Sequence, residues 1–152
     1  MATESEESVA EAIGRMLAQA GAILVCGGMT GVMEAACKGA REEGGATVGL
    51  LPGVDRAQAN AYVSVALPTG LGEMRNALIV RAADAVIAVA GEYGTLSEIA
   101  LALKTGVPVV GIETWDLGRG PREAIERATS PAQAVESALR LARPSGIDSA
   151  PP

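Results

Sequence analysis

Short apolar runs alternate with longer stretches of helical spacing along most of the chain, and glycines or prolines separate them. Runs of this length are typical of strands buried on both faces, whereas apolar residues three and four positions apart indicate helices that cover a core. Because a helix usually joins consecutive parallel strands, this order predicts a parallel sheet covered on both faces. The predicted strands lie at 22–26, 47–51, 61–67, 84–90 and 107–112.

The predicted helices lie before, between and after these strands, at 3–20, 32–43, 73–82, 95–104 and 130–142. Thr3 and Glu6 form a capping box for the first helix, and Ser130-Pro131 supplies an N-cap and N1 pair for the last. Residues 124–128 fit a short strand or a helical turn. The pattern predicts an α/β protein with one domain over residues 1–143, a Rossmann-like doubly wound parallel sheet, and a disordered tail at 144–152.

Composition removes several classes of chemistry. Of the 152 residues, 49% are hydrophobic but only 2% are aromatic, so Ala, Val, Leu and Ile must fill the core. The absence of histidine excludes Ser-His-Asp and Cys-His catalysis and most zinc sites. Cys26 and Cys37 show no metal-ligand spacing and are expected to be buried reduced thiols. No metal site is predicted.

Charge and hydropathy limit the classes of partner that the chain is expected to bind. The net charge of −6 argues against a nucleic-acid partner, although it leaves room for a small anionic ligand. No apolar run approaches the roughly 20 residues of a membrane span, so no membrane partner is expected. Because the first residues lack the basic and apolar regions of a signal peptide, a cytoplasmic location is expected.

Ligands of open parallel sheets bind beyond the carboxyl ends of the strands, where the segment CGGMTG lies. Gly27 and Gly28 would let the backbone turn sharply, and Thr30 would cap a helix opened by Gly31. Free N–H groups at such a helix start attract anions. Contact with a phosphate and a purely structural turn remain open as alternatives.

A second candidate segment, TGLGEMRN, begins with Thr69 and Gly70 and places Arg75 and Asn76 in the first turn of a helix. A cation is unfavourable there because the helix dipole is positive at its N-terminus. Arg75 therefore either has a partner, such as a phosphate or a carboxylate, or is a solvated arginine.

The third segment, AGEYGTLSE at 90–98, follows the clearest predicted strand. Gly91 and Gly94 would let N–H groups point at an anion, and Tyr93 would stack on a base or cover the loop. Glu92 stands between the glycines, where its charge would repel a phosphate.

The end of this segment has two interpretations. Thr95 and Glu98 have the T-x-x-E spacing of a capping box, which would be a sufficient structural role for Glu98. Alternatively, Glu98 faces the crevice, binds ribose hydroxyls or assists a hydrolysis.

The segments together resemble the LOG family of cytokinin riboside 5'-monophosphate phosphoribohydrolases, once called lysine-decarboxylase-like. Its signature is an Arg-Lys pair about fifteen residues ahead of P-G-G-x-G-T-x-x-E. Here Arg75 stands fifteen residues before Ala90, and the matching signature residues are Gly91, Gly94, Thr95 and Glu98. The amino-acid sequence of all three segments is more similar to a shorter branch of the family, which includes molybdenum cofactor carrier proteins. The resemblance covers about residues 8–142.

By this resemblance, Arg75 and Glu98 correspond to the catalytic pair, and the Gly91–Thr95 loop holds the phosphate. Three departures weaken hydrolysis: Ala90, Glu92 and Asn76 replace the signature Pro, Gly and Lys. Glu92 and Asn76 also shift the charge near the ligand toward negative. The favoured function is binding of a nucleotide or a phosphorylated cofactor, such as a molybdopterin-type ligand, with no cofactor required. The alternative is a phosphoribohydrolase that cleaves the N-glycosidic bond of nucleoside 5'-monophosphates.

The resemblance also has an architectural consequence. Relatives usually begin with a strand that ends in a glycine-serine loop ahead of the first helix, whereas this sequence starts at that helix. Either the sheet lacks the usual first strand, or the chain is truncated, or a partner covers the sheet. Relatives pair through helices, and the Ala-rich helices here would suit close packing, so a homodimer or homotetramer is expected.

Overall fold

A computed structural model describes residues 2–118 and 124–142. The predicted domain end at residue 143 and the predicted tail lie outside these ranges. Two short 3-10 helices cover Arg56–Gln58 and Gly72–Arg75. The helices and strands follow the predicted order: α1 (Glu4–Gln19), β1 (Leu24–Cys26), α2 (Val32–Glu42), β2 (Thr47–Leu51), β3 (Val65–Pro68), α3 (Asn76–Ala82), β4 (Val86–Val89), α4 (Tyr93–Thr105), β5 (Val109–Ile112), β6 (Ile125–Arg127) and α5 (Pro131–Leu141).

Within the described residues, six strands form two parallel three-stranded sheets, in the orders β1-β2-β3 and β4-β5-β6. Every strand pair is parallel, as the alternation with helices predicts. The segment at 124–128, open between a strand and a turn, forms β6 at the edge of the second sheet. The fold is therefore a single Rossmann-like α/β domain whose sheet is built as two halves.

Strand β3 is shorter than predicted, because a turn occupies residues 60–63. The Asn60 side chain donates to the Met29 carbonyl at 2.8 Å and accepts from the Tyr62 N–H at 3.0 Å. The Val63 N–H donates to the Asn60 carbonyl at 3.2 Å. This local alternative to strand pairing, typical of asparagine, delays the strand until Val65.

Helices cover both faces of the second sheet, which makes the fold doubly wound. On one face, Ile13 of α1 and Val135 of α5 pack with Val110 of β5 in a buried cluster. On the other face, Ile99 of α4 packs with Val109 of β5. None of the helices within 2–118 and 124–142 combines the length and apolar character that a membrane crossing requires.

Both predicted caps are present: Thr3 and Glu6 bond reciprocally at α1, and the Ser130 hydroxyl accepts from the Gln133 N–H at α5. Cys37 is buried and Cys26 half-buried, and both are free thiols with their sulfur atoms 3.5 Å apart.

Two glycines let α1 and α2 pack backbone against backbone. A Cβ atom added to Gly14 would lie 2.0 Å from the Ala36 carbonyl oxygen, and one added to Gly39 would lie 2.0 Å from the Glu11 carbonyl oxygen. Since the obstacles are backbone atoms, no side-chain rotation could relieve them.

The substitution Gly14→Ala is expected to lower the free energy of unfolding by about 1–3 kcal/mol, because the added methyl group must push the two helices apart. Urea unfolding followed by circular dichroism measures the change. Gly94→Ala is the matched control, since that helical glycine has no atom within 4 Å of an added Cβ. Equal stability of G14A and the unmodified chain would contradict the close packing.

Candidate ligand site at the carboxyl ends of the strands

The three predicted segments converge on one cavity of about 1650 Å³, which extends along β1 and β4 and reaches their carboxyl ends. Nine of the predicted site residues line it: Gly27, Thr30, Gly31, Arg75, Asn76, Gly91, Gly94, Thr95 and Glu98. Four others do not line it: Gly28, Thr69, Gly70 and Tyr93. The sequence thus predicted which loops meet, while the structure separates the residues that face the cavity from those that shape the loops.

Arg75 is buried, with only 6% of its surface exposed. Its Nε donates to the Leu50 carbonyl at 2.9 Å, and its Nη1 donates to the Asn76 side-chain oxygen and lies 3.6 Å from the Glu73 carboxylate. The guanidinium also packs so closely on Gly27 that an added Cβ there would lie 2.8 Å from Nη2. The solvated-arginine alternative is therefore wrong: Arg75 is a buried anchor at the end of β2.

Asn76 occupies the position of the signature lysine and connects the second loop to the third. Its Nδ2 donates to the Ser97 hydroxyl at 2.8 Å, while its Oδ1 accepts from Arg75. Ser97 in turn donates to the Gly94 carbonyl at 2.9 Å. Sequence reasoning missed Ser97, and its only signal was its place one residue before Glu98.

Helix α4 begins at Tyr93, which changes the roles of Thr95 and Glu98. The N-cap is Glu92, and its side chain makes no capping hydrogen bond. Thr95 therefore lies in the first turn, and the predicted capping box is wrong. The first N–H groups of α4, those of Tyr93, Gly94 and Thr95, have neither an intrahelical acceptor nor a side-chain cap, so they can receive an anion.

Glu98 therefore does not cap α4, and it lines the cavity. Burial raises the pKa of its carboxyl to about 7, against an opposing effect of the Arg75 guanidinium. Desolvation dominates because the crevice removes water from the charged form more than one nearby cation can compensate. At neutral pH this carboxyl is close to half protonated, so it can both donate and accept a hydrogen bond.

Glu92, whose charge would repel a phosphate, has an exposed side chain at the rim of the cavity. Its carbonyl accepts a hydrogen bond from the Trp115 Nε1–H at 3.2 Å, and the Tyr93 and Trp115 rings lie 5.8 Å apart between centroids. Tyr93 itself is 80% exposed. Tyr93 and Trp115 therefore form a cover on the outside of the loop.

Ala90 adopts a left-handed backbone conformation with φ of 48°, and its carbonyl accepts a hydrogen bond from the Thr114 hydroxyl. Proline, whose φ is fixed near −65°, cannot adopt this conformation. The replacement of the signature proline thus accompanies a different backbone path into the loop. Gly91 follows with φ of 119°, and an added Cβ there would lie 2.5 Å from Thr95.

In the first loop, Gly31 is the N-cap of α2 and has no side-chain cap. The prediction that Thr30 caps this helix is therefore wrong; its side chain is exposed at the cavity. Gly28 serves packing instead, because an added Cβ would lie 2.8 Å from the Leu51 side chain.

Thr69 and Gly70 shape the turn that carries Arg75. The Thr69 hydroxyl donates to the Leu51 carbonyl at 2.8 Å, and the Gly70 N–H donates to the Gly53 carbonyl at 2.9 Å. Gly70 has φ of 67°, which favours glycine.

The cavity has a negative lining. Within the described ranges, Arg75 is the one cationic side chain that lines it. The lining carboxylates are Glu6, Glu7, Glu34, Glu73, Asp84, Glu92 and Glu98. No group of three or more His, Cys, Asp or Glu residues in the described ranges is placed to hold a metal ion. An anion here would be held by backbone N–H groups more than by side-chain cations.

Comparisons with known proteins extend over nearly the whole chain. The sequence model of the SLOG cluster4 family matches residues 1–142. An uncharacterized protein from Archaeoglobus fulgidus is 39% identical over 133 residues, which cover 84% of this chain and 87% of that protein. The molybdenum cofactor binding protein from the phototrophic bacterium Rippkaea orientalis has a TM-score of 0.87 and 35% identity, over 93% of this chain and 90% of that one. The molybdenum cofactor carrier protein from Chlamydomonas reinhardtii has a TM-score of 0.84 and 33% identity, over 92% of this chain and 89% of that one.

The substitution Glu98→Gln is expected to remove a pH dependence of stability. Because the pKa of Glu98 in the folded protein is about 7, above the ordinary 4.5, the folded state holds the extra proton between these values. The free energy of unfolding of the unmodified chain therefore falls as the pH rises from 4.5 to 7, by at most roughly 3 kcal/mol. E98Q should lack this fall in urea unfolding at pH 5 and pH 8.

The matched control is Glu136→Gln, which alters an exposed carboxyl on α5. It should keep the pH dependence of the unmodified chain. If E98Q kept it as well, Glu98 would not be the group that titrates in this window.

Proposed function

The chain belongs to the SLOG cluster4 family, and from this premise we propose that it binds a small phosphorylated ligand, a nucleotide or a molybdopterin-type cofactor, in the cavity between the three loops. The observation that carries the proposal is the uncapped N-terminus of α4, which opens on the same cavity as Arg75 and Glu98. An anion-binding end and a protonatable group in one cleft suit a ligand with a phosphate and a polar ring or sugar.

The phosphate would lie at the first turn of α4. The N–H groups of Gly94 and Thr95, two residues that line the cavity, provide donors there, and the helix dipole favours negative charge. Arg75 would attract the phosphate through its charge rather than by direct hydrogen bonds, since its guanidinium already donates to the Leu50 carbonyl and the Asn76 side chain. This arrangement tolerates the loss of the signature lysine, because backbone donors do the binding.

Glu98 would contact the uncharged part of the ligand. A carboxyl with a pKa of about 7 can donate to a ring nitrogen when protonated, and it can accept from ribose hydroxyls or ring N–H groups when ionised. Two similar solved proteins are described as a molybdenum cofactor binding protein and a molybdenum cofactor carrier protein, which favours a pterin-type ligand over other phosphorylated molecules.

Further parts of this proposal concern the setting of the site. The ligand would be cargo or a bound effector, so no resident cofactor is required for the fold. We expect a homodimer or homotetramer in the cytoplasm, without a nucleic-acid or membrane partner.

The substitution Gly91→Ala is expected to weaken binding of AMP or isolated molybdenum cofactor at least tenfold. The added methyl group would press on Thr95, at 2.5 Å, and move the loop away from the N-terminus of α4. Isothermal titration calorimetry on the full chain measures the dissociation constants.

Gly106→Ala is the matched control, because this glycine also has a positive φ, of 76°, but caps the opposite end of α4. It should lose stability by about 1 kcal/mol while binding stays unchanged. Absence of binding of both probes to the unmodified chain would contradict the proposed function.

A second candidate function is phosphoribohydrolase activity, which the pKa of Glu98 near 7 and the proximity of Arg75 favour. In this reaction a water molecule would add to the ribose C1' as the bond to the base nitrogen breaks. The ionised Glu98 would accept the water proton or stabilise the oxocarbenium-like centre, and the base would leave with a proton. The products would be the free base and ribose 5-phosphate.

If this second function holds, AMP hydrolysis should rise with pH through about 7, because the ionised form of Glu98 is the active one. Chromatography of free adenine at pH 6 and pH 8 measures it. Glu98→Gln should abolish release, and Glu136→Gln should preserve it. Binding of AMP without adenine release would leave the first function and exclude the second for this ligand.

A further inference from the structure

The two cysteines of the chain lie against each other beside the first loop. Cys26 is the last residue of β1, and Cys37 lies in the middle of α2. Their sulfur atoms are 3.5 Å apart, and both are free thiols. Since a disulfide bond is about 2.0 Å long, the sulfur atoms would have to approach each other by only about 1.5 Å to form one.

The two thiols differ in the access that a reagent has to them. Cys26 is half-buried and lines the cavity, so a small molecule in the cavity can reach its sulfur atom. Cys37 is fully buried and is not part of the cavity wall. A reagent that enters the cavity therefore meets Cys26, and Cys37 lies behind it.

The surroundings of Cys26 favour its thiolate form. The hydrogen bond donated by the Cys37 thiol lowers the pKa of the Cys26 thiol. The Gly28 N–H, which donates to the same sulfur at 3.3 Å, and the charge of Arg75 also lower this pKa, whereas burial and the charge of Glu98 oppose them. The contact with Cys26 and burial raise the pKa of Cys37. Because the thiolate is the nucleophile, the accessible thiol is also the more reactive one.

The chain between the two cysteines can accommodate the approach of the sulfur atoms. Gly27, Gly28 and Gly31 lie in this interval, and the last two have positive φ angles of 71° and 70°. Because glycine adopts backbone conformations that strain other residues, this loop can adjust the end of β1 relative to α2. Gly27 and Gly31 also line the cavity, so a disulfide would close a loop that forms part of its wall.

We propose that Cys26 and Cys37 are a peroxide-reactive pair, in which Cys26 is oxidised and Cys37 converts the product into a disulfide. In the first step the Cys26 sulfur attacks one oxygen of hydrogen peroxide and the O–O bond breaks. The sulfur becomes a sulfenic acid, and the leaving hydroxide takes the proton that Cys26 gave up, which forms one water molecule.

In the second step the Cys37 sulfur attacks the Cys26 sulfur and the S–O bond breaks. The leaving hydroxide takes the Cys37 proton and forms a second water molecule, while the two sulfur atoms are joined in a disulfide. The two thiols together lose two electrons and two protons, and one peroxide molecule is reduced to two water molecules.

This reaction needs no ligand in the cavity, so failure of the proposed ligand binding would leave it intact. A low-pKa thiol that a reagent can reach, beside a second thiol that traps its sulfenic acid, is typical of reversible redox-sensing cysteines. A dithiol reductant restores both thiols by exchange. The pair thus gives the chain a reversible modification site in the wall of the cavity.

The test treats the reduced full chain with a small excess of hydrogen peroxide at neutral pH and identifies the products by mass spectrometry. Trypsin cleaves after Arg15 and Lys38, so both cysteines lie in the peptide 16–38. This peptide should lose the mass of two hydrogen atoms, resist alkylation by iodoacetamide and recover both thiols with dithiothreitol. Oxidation of its methionines adds oxygen instead, so mass distinguishes the two reactions.

The same treatment in concentrated urea measures what the fold contributes. The disulfide should form at least about tenfold faster in the folded chain, because unfolding removes the hydrogen bonds that favour the Cys26 thiolate and separates the two sulfur atoms. An equal rate in urea would overturn the proposal. So would the absence of the internal disulfide, a disulfide between two chains, or a sulfenic acid that persists on Cys26 of the unmodified chain.

Two matched variants separate the roles of the thiols. Cys37→Ala should leave Cys26 as a sulfenic acid that dimedone traps, whereas Cys26→Ala should give no dimedone adduct because Cys37 is buried. A dimedone adduct on Cys37 of C26A as abundant as that on Cys26 of C37A would contradict these roles. Circular dichroism checks the fold of both variants, and if either is unfolded, the disulfide of the unmodified chain and its rate decide.

Discussion

The site depends on the hydrogen bonds and packing that hold the buried guanidinium of Arg75. A buried cation is costly unless its donors are satisfied. Arg75 meets this demand by bonding the Leu50 carbonyl at the end of β2 and the side chain of Asn76, while it packs on Gly27. Asn76 then donates a hydrogen bond to Ser97 on α4, and this helix covers the sheet formed by β4, β5 and β6. One desolvated charge thus ties together all three loops and both halves of the sheet.

This arrangement gives a different meaning to the departures from the LOG signature. Asn76 is a neutral connector that lies buried between Arg75 and Ser97, where a lysine would add a second charge to a buried position. Glu92 is exposed at the rim, so its charge acts on a ligand mainly through solvent. The shift toward negative charge near the ligand is therefore smaller than the residue types at positions 76 and 92 alone imply.

The sequence by itself determined the order of helices and strands, the parallel sheet and the three converging loops, because apolar spacing and glycine positions are local signals. It misplaced the start of α4, since Thr95 and Glu98 fit a capping box that the chain does not form. Only the tertiary structure decided that Arg75 is buried and that Glu98 titrates near neutrality. Both depend on desolvation by residues distant in sequence, which no local pattern records.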